Sequence, residues 1–438
     1  MRARNRELVG LIPASLLVTA GFAAVFIQRS NQLSNISLTY GAIFLGLCLI
    51  AHVFIRVTLP YADPYIFPLV AVLACFGLVM VYRIDSTLAR HQAEWFVIGL
   101  ILFIGTIIVF RDYRKLEQYR YVIMVVSLVI LVLPRVPGLG EYTAGAYLAI
   151  KVPGLGGFQP EEFAKIGLVI FLASYLRDTR QVLATGGRRF LGITIPPLKH
   201  LGPIVVIWGV AMGIMVLLSD MGSSLMLYGG LLAMLYVATG RFSFVLIGIL
   251  AFALGAWYLG THISHVHARV EDWLHPFNHR LYSGVLGSFQ IANGLFAQAQ
   301  GGLFGQGFGQ ALLTVPGSNP PAYIIPAAST DMIYSVITDE LGLFGSAALL
   351  LTYLILVARG LKAAVLSTDS FSTLLATGLS AILALQVFVI VGGVTRVIPL
   401  TGVTLPFVSY GGSSIVANFV LVALLLLVSD RARREAGS

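Results

Sequence analysis

Four short stretches place ionisable and hydroxyl residues in a chain that is otherwise strongly apolar. "STDMIYSVITDELGLFG" (329–345) carries Asp331, Asp339 and Glu340, and "FQPEEFAK" (158–165) carries Glu161, Glu162 and Lys165. "DMGSSL" (220–225) opens on Asp220, and "IPLTGVTLPFVSYGGSS" (398–414) holds Ser409 and Ser413 just after Arg396. A carboxylate at the mouth of an apolar segment can take a proton from a reacting hydroxyl or hold a divalent cation. Basic groups beside it can meet phosphate charge. Ionisable groups within spanning helices cost roughly 2.5–3.5 kcal/mol each on insertion scales, so they need partners or a wet cavity.

Each stretch also has a purely structural reading. Pro160 suits a helix's first turn, Glu161 and Glu162 then sit at the positive end of its dipole, and Glu162 and Lys165 face each other at i, i+3. Asp220 can cap the helix that follows it. If one helix ran through Asp331 and Glu340, their nine-residue separation would set them on opposite faces, about 13 Å apart in height. Asp339 and Glu340 are therefore expected to cap or pack the start of the apolar run 341–358. Arg396 is the one basic residue in 392–418, and the small residues of "SYGGSS" also let helices approach closely.

Two other features carry less. "GGLFGQGFG" (301–309) lacks the P-loop spacing, although its backbone N–H groups could hold a pyrophosphate. Five of the eight histidines fall between His262 and His279, where an interfacial helix end accounts for them better than a metal site.

The elements that must position these residues are apolar helices. The chain is 58% hydrophobic and 11% charged, against about 25% charged in an ordinary soluble domain. About twelve runs are long enough to cross a membrane: 8–27, 38–56, 65–82, 94–110, 120–134, 162–176, 200–218, 222–239, 242–260, 341–358, 372–392 and 412–429. The expected fold is an all-α integral membrane bundle of about twelve transmembrane helices. The first run lacks an evident signal-peptide cleavage site and reads as a retained helix. Cys48 and Cys75 lie inside apolar runs, so no disulfide framework is expected.

With a cytoplasmic N-terminus, inside segments hold 19 of the 28 Lys and Arg residues, which fixes the orientation. Both termini are then cytoplasmic, and the unusual segments (135–160, 218–223 and the large loop 261–330) face outside. The net charge of +9 is this topological bias and gives no reason to expect nucleic acid.

Taken together, the four stretches resemble the SEDS membrane proteins, the FtsW/RodA/SpoVE family of bacterial cell-wall synthesis. The likeness covers roughly 65–430, with two extra N-terminal helices in 1–64 and a basic cytoplasmic tail at 431–438. It implies a peptidoglycan glycosyltransferase in the bacterial cytoplasmic membrane that polymerises lipid II at the outer face. A class B penicillin-binding protein would supply transpeptidation. The acid of the family's TD-[FM]-I motif falls on Asp331, and the Glu and Lys of its QPSE-x-x-K motif fall on Glu162 and Lys165. The chain departs from the pattern where Glu161 replaces Ser and where Leu218-Ser219 replaces Gln/Glu-Pro. "GAYLAI" (145–150) replaces a basic run, which shifts a pyrophosphate role toward Lys151. The N-terminal extension and Arg396 look like the RodA-type members of actinobacteria, which favours elongation over division.

The resemblance implies that Asp331 deprotonates the acceptor's 4-hydroxyl, which attacks a glycan-undecaprenyl pyrophosphate donor with inversion. Lys151, Arg269, Arg396 and a divalent cation (Mg2+ or Mn2+) would meet the leaving-group charge, with no organic cofactor. Asp331 as metal ligand stays open beside Asp331 as base. The tails of both substrates would rest in membrane lipid or an apolar groove. Two rival classes are a lipid II flippase, which needs charges through the membrane depth, and a non-catalytic scaffold, which would tolerate Asp331→Asn.

Overall fold

The computed structural model describes residues 2–30, 35–143, 146–152, 156–185, 188–190, 193–195, 198–283, 287–315 and 323–437. In chain order, helices α1 (Arg2–Ser30), α2 (Asn35–Thr58), α3 (Ile66–Ile84), α4 (Ser86–Val109) and α5 (Arg120–Val132) lead into three short strands, β1 (Gly140–Thr143), β2 (Ala146–Val152) and β3 (Gly156–Phe158). Then come α6 (Glu161–Thr185), a small hairpin of β4 (Arg188–Phe190) and β5 (Ile193–Ile195), α7 (Leu198–Leu218), α8 (Met221–Thr239) and α9 (Phe242–His262). The short helices α10 (Ser264–Leu274), α11 (His279–Tyr282) and α12 (Phe289–Gly301) precede the long α13 (Ile333–Leu366), α14 (Ser370–Val394) and α15 (Gly412–Ala436).

Every one of the twelve expected runs falls on its own helix. Ten helices among the described residues are long and apolar enough to cross a membrane. The other two are α6 and α7. Helix α6 carries Glu161, Glu162 and Lys165 at one end and Arg177, Asp178 and Arg180 near the other. At about 1.5 Å per residue its 25 residues still reach past a hydrocarbon core of roughly 30 Å. The protein is an all-α multi-pass membrane protein.

Helix α15 is apolar nearly all round and is the most enclosed span, as such a helix must be. It packs against α4 and α13, while α14 lies against α13, α8 and α6. The extra pair α1 and α2 packs together, with α1 lying along α3. Both cysteines are free and buried. Helix starts follow local chemistry: Asp85 accepts from the N–H groups of Thr87 and Leu88 to begin α4, Asp220 from Ser223 to begin α8, and Asp369 from Ser372 to begin α14.

Three regions differ from the sequence expectation. Segment 135–160 contains the antiparallel sheet β1-β2-β3, paired Ile150↔Phe158 and Gly140↔Ile150, so its Gly and Pro residues punctuate strands. Loop 261–330 contains α10, α11 and α12. The span expected at 341–358 begins at Ile333 and bends at Gly342, whose φ of 66° only glycine adopts freely. Asp339 and Glu340 therefore lie inside α13, buried, and do not cap its start. Asp331 lies before the helix, so no single helix joins it to Glu340.

Candidate active site

The segment linking α14 to α15 (395–411) has almost no regular structure, yet its second half, around 403–409, is buried and organises the site. It lies against α3 because Gly77 has no side chain: a Cβ there would sit 2.4 Å from the Phe407 carbonyl oxygen. The Gln92 carboxamide of α4 holds it from one side, donating to the Ser409 carbonyl (3.0 Å) and accepting from the Gly411 N–H (3.3 Å). The Gln386 carboxamide of α14 holds it from another, donating to the Thr404 carbonyl (3.0 Å). A backbone without a ladder is tolerated at membrane depth only under such satisfaction.

Asp331 is fixed by the same segment. The Ser409 hydroxyl donates to the Thr330 carbonyl (2.7 Å) and accepts from the Leu405 N–H (2.9 Å), and the Tyr410 N–H donates to the Ser329 carbonyl (2.8 Å). The half-buried Asp331 carboxylate faces Gly402, where an added Cβ would lie 3.5 Å from its Oδ2. Loss of water pushes its pKa up to about 6, against the opposing pull of the Arg269 guanidinium and the Thr330 hydroxyl. Arg269 of α10 also donates to the Thr401 carbonyl (3.3 Å), which sets it beside both Asp331 and the linker.

The acids of α6 and α8 approach the linker one or two residues away. Gly222, two residues after Asp220, abuts Thr401 and Val403. Glu161 and Asp220 lie close enough for their carboxyls to interact directly. Both are buried, and Glu161 Oε2, Asp220 Oδ2 and Thr401 Oγ1 have no hydrogen-bond partner. Glu162 and Lys165 form the expected i, i+3 pair at 2.5 Å, and Lys165 also donates to the Gln386 side chain (2.8 Å). Ser413, in the first turn of α15, accepts from the Gln159 N–H (3.1 Å).

The structure thus gathers Asp331, Arg269, Ser409, Asp220, Glu162, Lys165 and Ser413 around one linker. Among the described residues, all four non-glycine residues with positive φ (Ser219, Ala327, Arg396 and Phe407) lie in the segments that build this end of the molecule. Such backbone concentrates where surroundings over-determine it, typically at functional sites.

Other candidates are placed elsewhere. Arg396 is exposed, and its guanidinium is bound to the Trp273 and Leu274 carbonyls (both 2.7 Å). It satisfies the open C-terminal carbonyls of α10. The glycine run 301–309 is no anion cradle: the Gln306 and Gly307 N–H groups donate to the Asp339 and Glu340 carbonyls. Its loop seals the break at Gly342, where the Leu343 and Phe344 N–H groups turn to Gly302 and Leu303. Glu340 pairs with Arg83 (3.1 Å). The histidine region forms no metal-ligating cluster among the described residues. The Lys151 side chain lies outside the described residues.

Sequence reasoning missed Arg83, Gln386 and Gln298. Gln298 donates to Ser335 and to the Val394 carbonyl. A neutral amide in an apolar run is a signal of this kind, because burying it requires partners.

Comparisons with known proteins show the family. A family model described as "Cell cycle protein", covering FtsW, RodA and SpoVE, matches residues 64–434. The chain is 40% identical to the peptidoglycan glycosyltransferase RodA of Mycobacterium tuberculosis, over 98% of this chain and 91% of that one. It is 32% identical to the stage V sporulation protein E of Bacillus subtilis, over 82% of this chain and 95% of that one. Its structure is similar to a chain from a peptidoglycan synthase complex coordinating polymerization and crosslinking (TM-score 0.65, 26% identity, 84% and 97% covered). It is also similar to the rod shape determining protein RodA of Thermus thermophilus (TM-score 0.59, 25% identity, 84% and 96% covered).

Proposed function

This chain belongs to the FtsW/RodA/SpoVE family and is a peptidoglycan glycosyltransferase; we propose that it polymerises lipid II with Asp331 as the general base. The observation carrying this is the position of Asp331. It is the half-exposed acid at the meeting point of four polar stretches, desolvated enough to accept a proton near pH 6 and supported by Ser409 and Arg269. A base works best with a pKa near the working pH. Deprotonated Asp331 takes the proton of an acceptor sugar hydroxyl, and the oxygen attacks the anomeric carbon of the lipid-pyrophosphate donor from the opposite face. One such displacement inverts that carbon. The pyrophosphate leaves with the electron pair.

Arg269 is the described cation best disposed for the pyrophosphate. It stands beside Asp331, whereas Lys165 is committed to Glu162 and Gln386, and Arg396 to α10. The partnerless oxygens of Glu161 and Asp220 fit a divalent cation, Mg2+ or Mn2+, carried mainly by pyrophosphate oxygens and water. Such an ion would supply charge neutralisation at the leaving group. Holding both lipid substrates by their tails turns their encounter into a positioned one.

The Asp331 end faces outside in this reading, supported by the concentration of Lys and Arg at the opposite end. A class B penicillin-binding protein is the proposed partner, in keeping with the synthase complex whose member this chain resembles. Likeness to mycobacterial RodA favours a role in elongation.

The test is a gel assay of glycan polymer made from purified lipid II. It compares wild type with Asp331→Asn, each with and without the class B partner and a divalent ion. Polymer from wild type and none from a folded Asp331→Asn is the expected result. Equal polymer from both removes Asp331 from the chemistry. No polymer from either moves the function to lipid transport or scaffolding.

A further inference from the structure

The two N-terminal helices add something the polymerase core has no evident use for. Between α1–α2 and α3–α4 lies a cavity of about 490 Å³, within the roughly 300–1,000 Å³ range of ligand sites. Phe22, Phe44 and Leu47 of the extra pair form one wall, and Leu78, Ala93 and Phe96 of the core form the other. One rim is polar, with Ser86, Thr87 and Arg90 in the first turns of α4. This is the end of α4 that carries Gln92, and Gln92 holds the Ser409 carbonyl. The cavity therefore opens at the Asp331 end of the bundle.

Charge and length narrow the occupant. Arg90 is exposed, and among the described residues its guanidinium has no ion pair or hydrogen bond. The neighbouring acids are engaged: Asp85 caps α4, and Glu94 pairs with His91. From Arg90 to Val97 the lining runs about 10 Å along α4 at 1.5 Å per residue. One leaflet of a bilayer with a roughly 30 Å hydrocarbon core is about 15 Å deep. A basic group at headgroup level above an apolar slot about two-thirds of a leaflet deep fits the upper part of a single acyl chain under a phosphate. A polyprenyl tail several times longer would overrun it.

We propose that this cavity binds an anionic glycerophospholipid of the leaflet on the Asp331 side, its phosphate on Arg90 and one acyl chain between the extra helices and the core. The site exists because of segment 1–64, which supplies one wall. It does not depend on the catalytic reading of Asp331.

The experiment places the full-length protein in nanodiscs of phosphatidylcholine and phosphatidylglycerol in equal parts. Lipid retained after transfer to mild detergent is identified by native mass spectrometry. Wild type is expected to retain phosphatidylglycerol in preference to phosphatidylcholine. Arg90→Gln, an exposed change that the fold tolerates, should reduce that preference about fivefold, the factor for one basic residue at an anionic surface. Ala93→Trp, which fills the slot, should remove retention of both lipids. If it does not fold by thermal unfolding, Arg90→Gln decides alone. Unchanged preference in Arg90→Gln overturns the proposal. So does displacement of phosphatidylglycerol by an equal amount of undecaprenyl phosphate, which would assign the slot to a substrate-like lipid.

Discussion

The bundle has a polar layer at each end, and the two are built differently. At the end holding both described termini, every buried carboxylate among the described residues is engaged, although Arg4 Nε and His52 Nε2 have no hydrogen-bond partner. Glu7 meets Arg4 and His52, Asp63 meets Arg433 and the Tyr65 N–H, and Asp430 meets Arg434 and the Tyr61 N–H. At the Asp331 end, buried oxygens of Glu161, Asp220 and Asp339 lack donors, and backbone strain gathers. A satisfied buried network fixes one packing, whereas an unsatisfied one is costly and is retained where a ligand completes it. The first layer ties the extra helices and the chain end to the core. The second is shaped for something that arrives.

Substitutions at the two ends should therefore separate activity from stability. The largest effect is expected from Asp331→Asn, which should reduce polymer formation by roughly 10²- to 10⁴-fold, the usual worth of a general base. The same variant should be more heat-stable at neutral pH. Burial holds the folded pKa of Asp331 above its ordinary value of 3.8, to about 6. The folded state then binds more protons than the unfolded one between those values, and stability falls as pH rises through that window. Removing the charge removes this loss. A lower melting temperature in Asp331→Asn would contradict it.

At the opposite end the pattern should reverse. Asp63→Asn strands Arg433 and Arg359 and should destabilise by about 3 kcal/mol, as breaking a buried pair does. Polymer formed per folded molecule should stay the same. Denaturation and gel assays on the same preparation would check both halves, and a selective loss of activity would erase the contrast.

Smaller effects sharpen the Asp331 end. Polymerisation rate at low lipid II should fall about tenfold per pH unit below about 6, as Asp331 takes up its proton. Arg269→Met removes the charge that opposes this and should move the acid limb to higher pH. A pH profile unmoved by Arg269→Met would separate the two residues. Ser409→Ala leaves the Leu405 N–H without its acceptor and should cost about 1–3 kcal/mol, visible as a lower melting temperature. Least of all, Arg396→Gln should cost about 0.3–1 kcal/mol, the worth of a cation at an exposed helix end. It should leave the affinity for lipid II unchanged in a binding titration.

Much of this was legible in the residues. Apolar runs can be counted because, in lipid, the backbone must satisfy itself within each segment, and each of the twelve expected runs lies on its own helix. The cap at Asp220 and the pair Glu162–Lys165 are local, set by spacings of three residues. Asp331 was singled out by the family resemblance, whose motifs are each a few neighbouring residues.

What the sequence left open depended on contacts between distant segments. Whether Arg396 meets a phosphate or the end of α10 is decided 122 residues away. The glycine run 301–309 could hold an anion or seal a helix break; the carbonyls freed at Gly342 take its N–H groups. Gln386 is one neutral residue in an apolar run, until the linker between α14 and α15 needs a donor for its Thr404 carbonyl. The sequence by itself determined the helices and their number, because those rest on local hydrophobicity. Only the tertiary structure decided which polar groups are engaged and which are free, because every buried donor must find its acceptor across the whole fold.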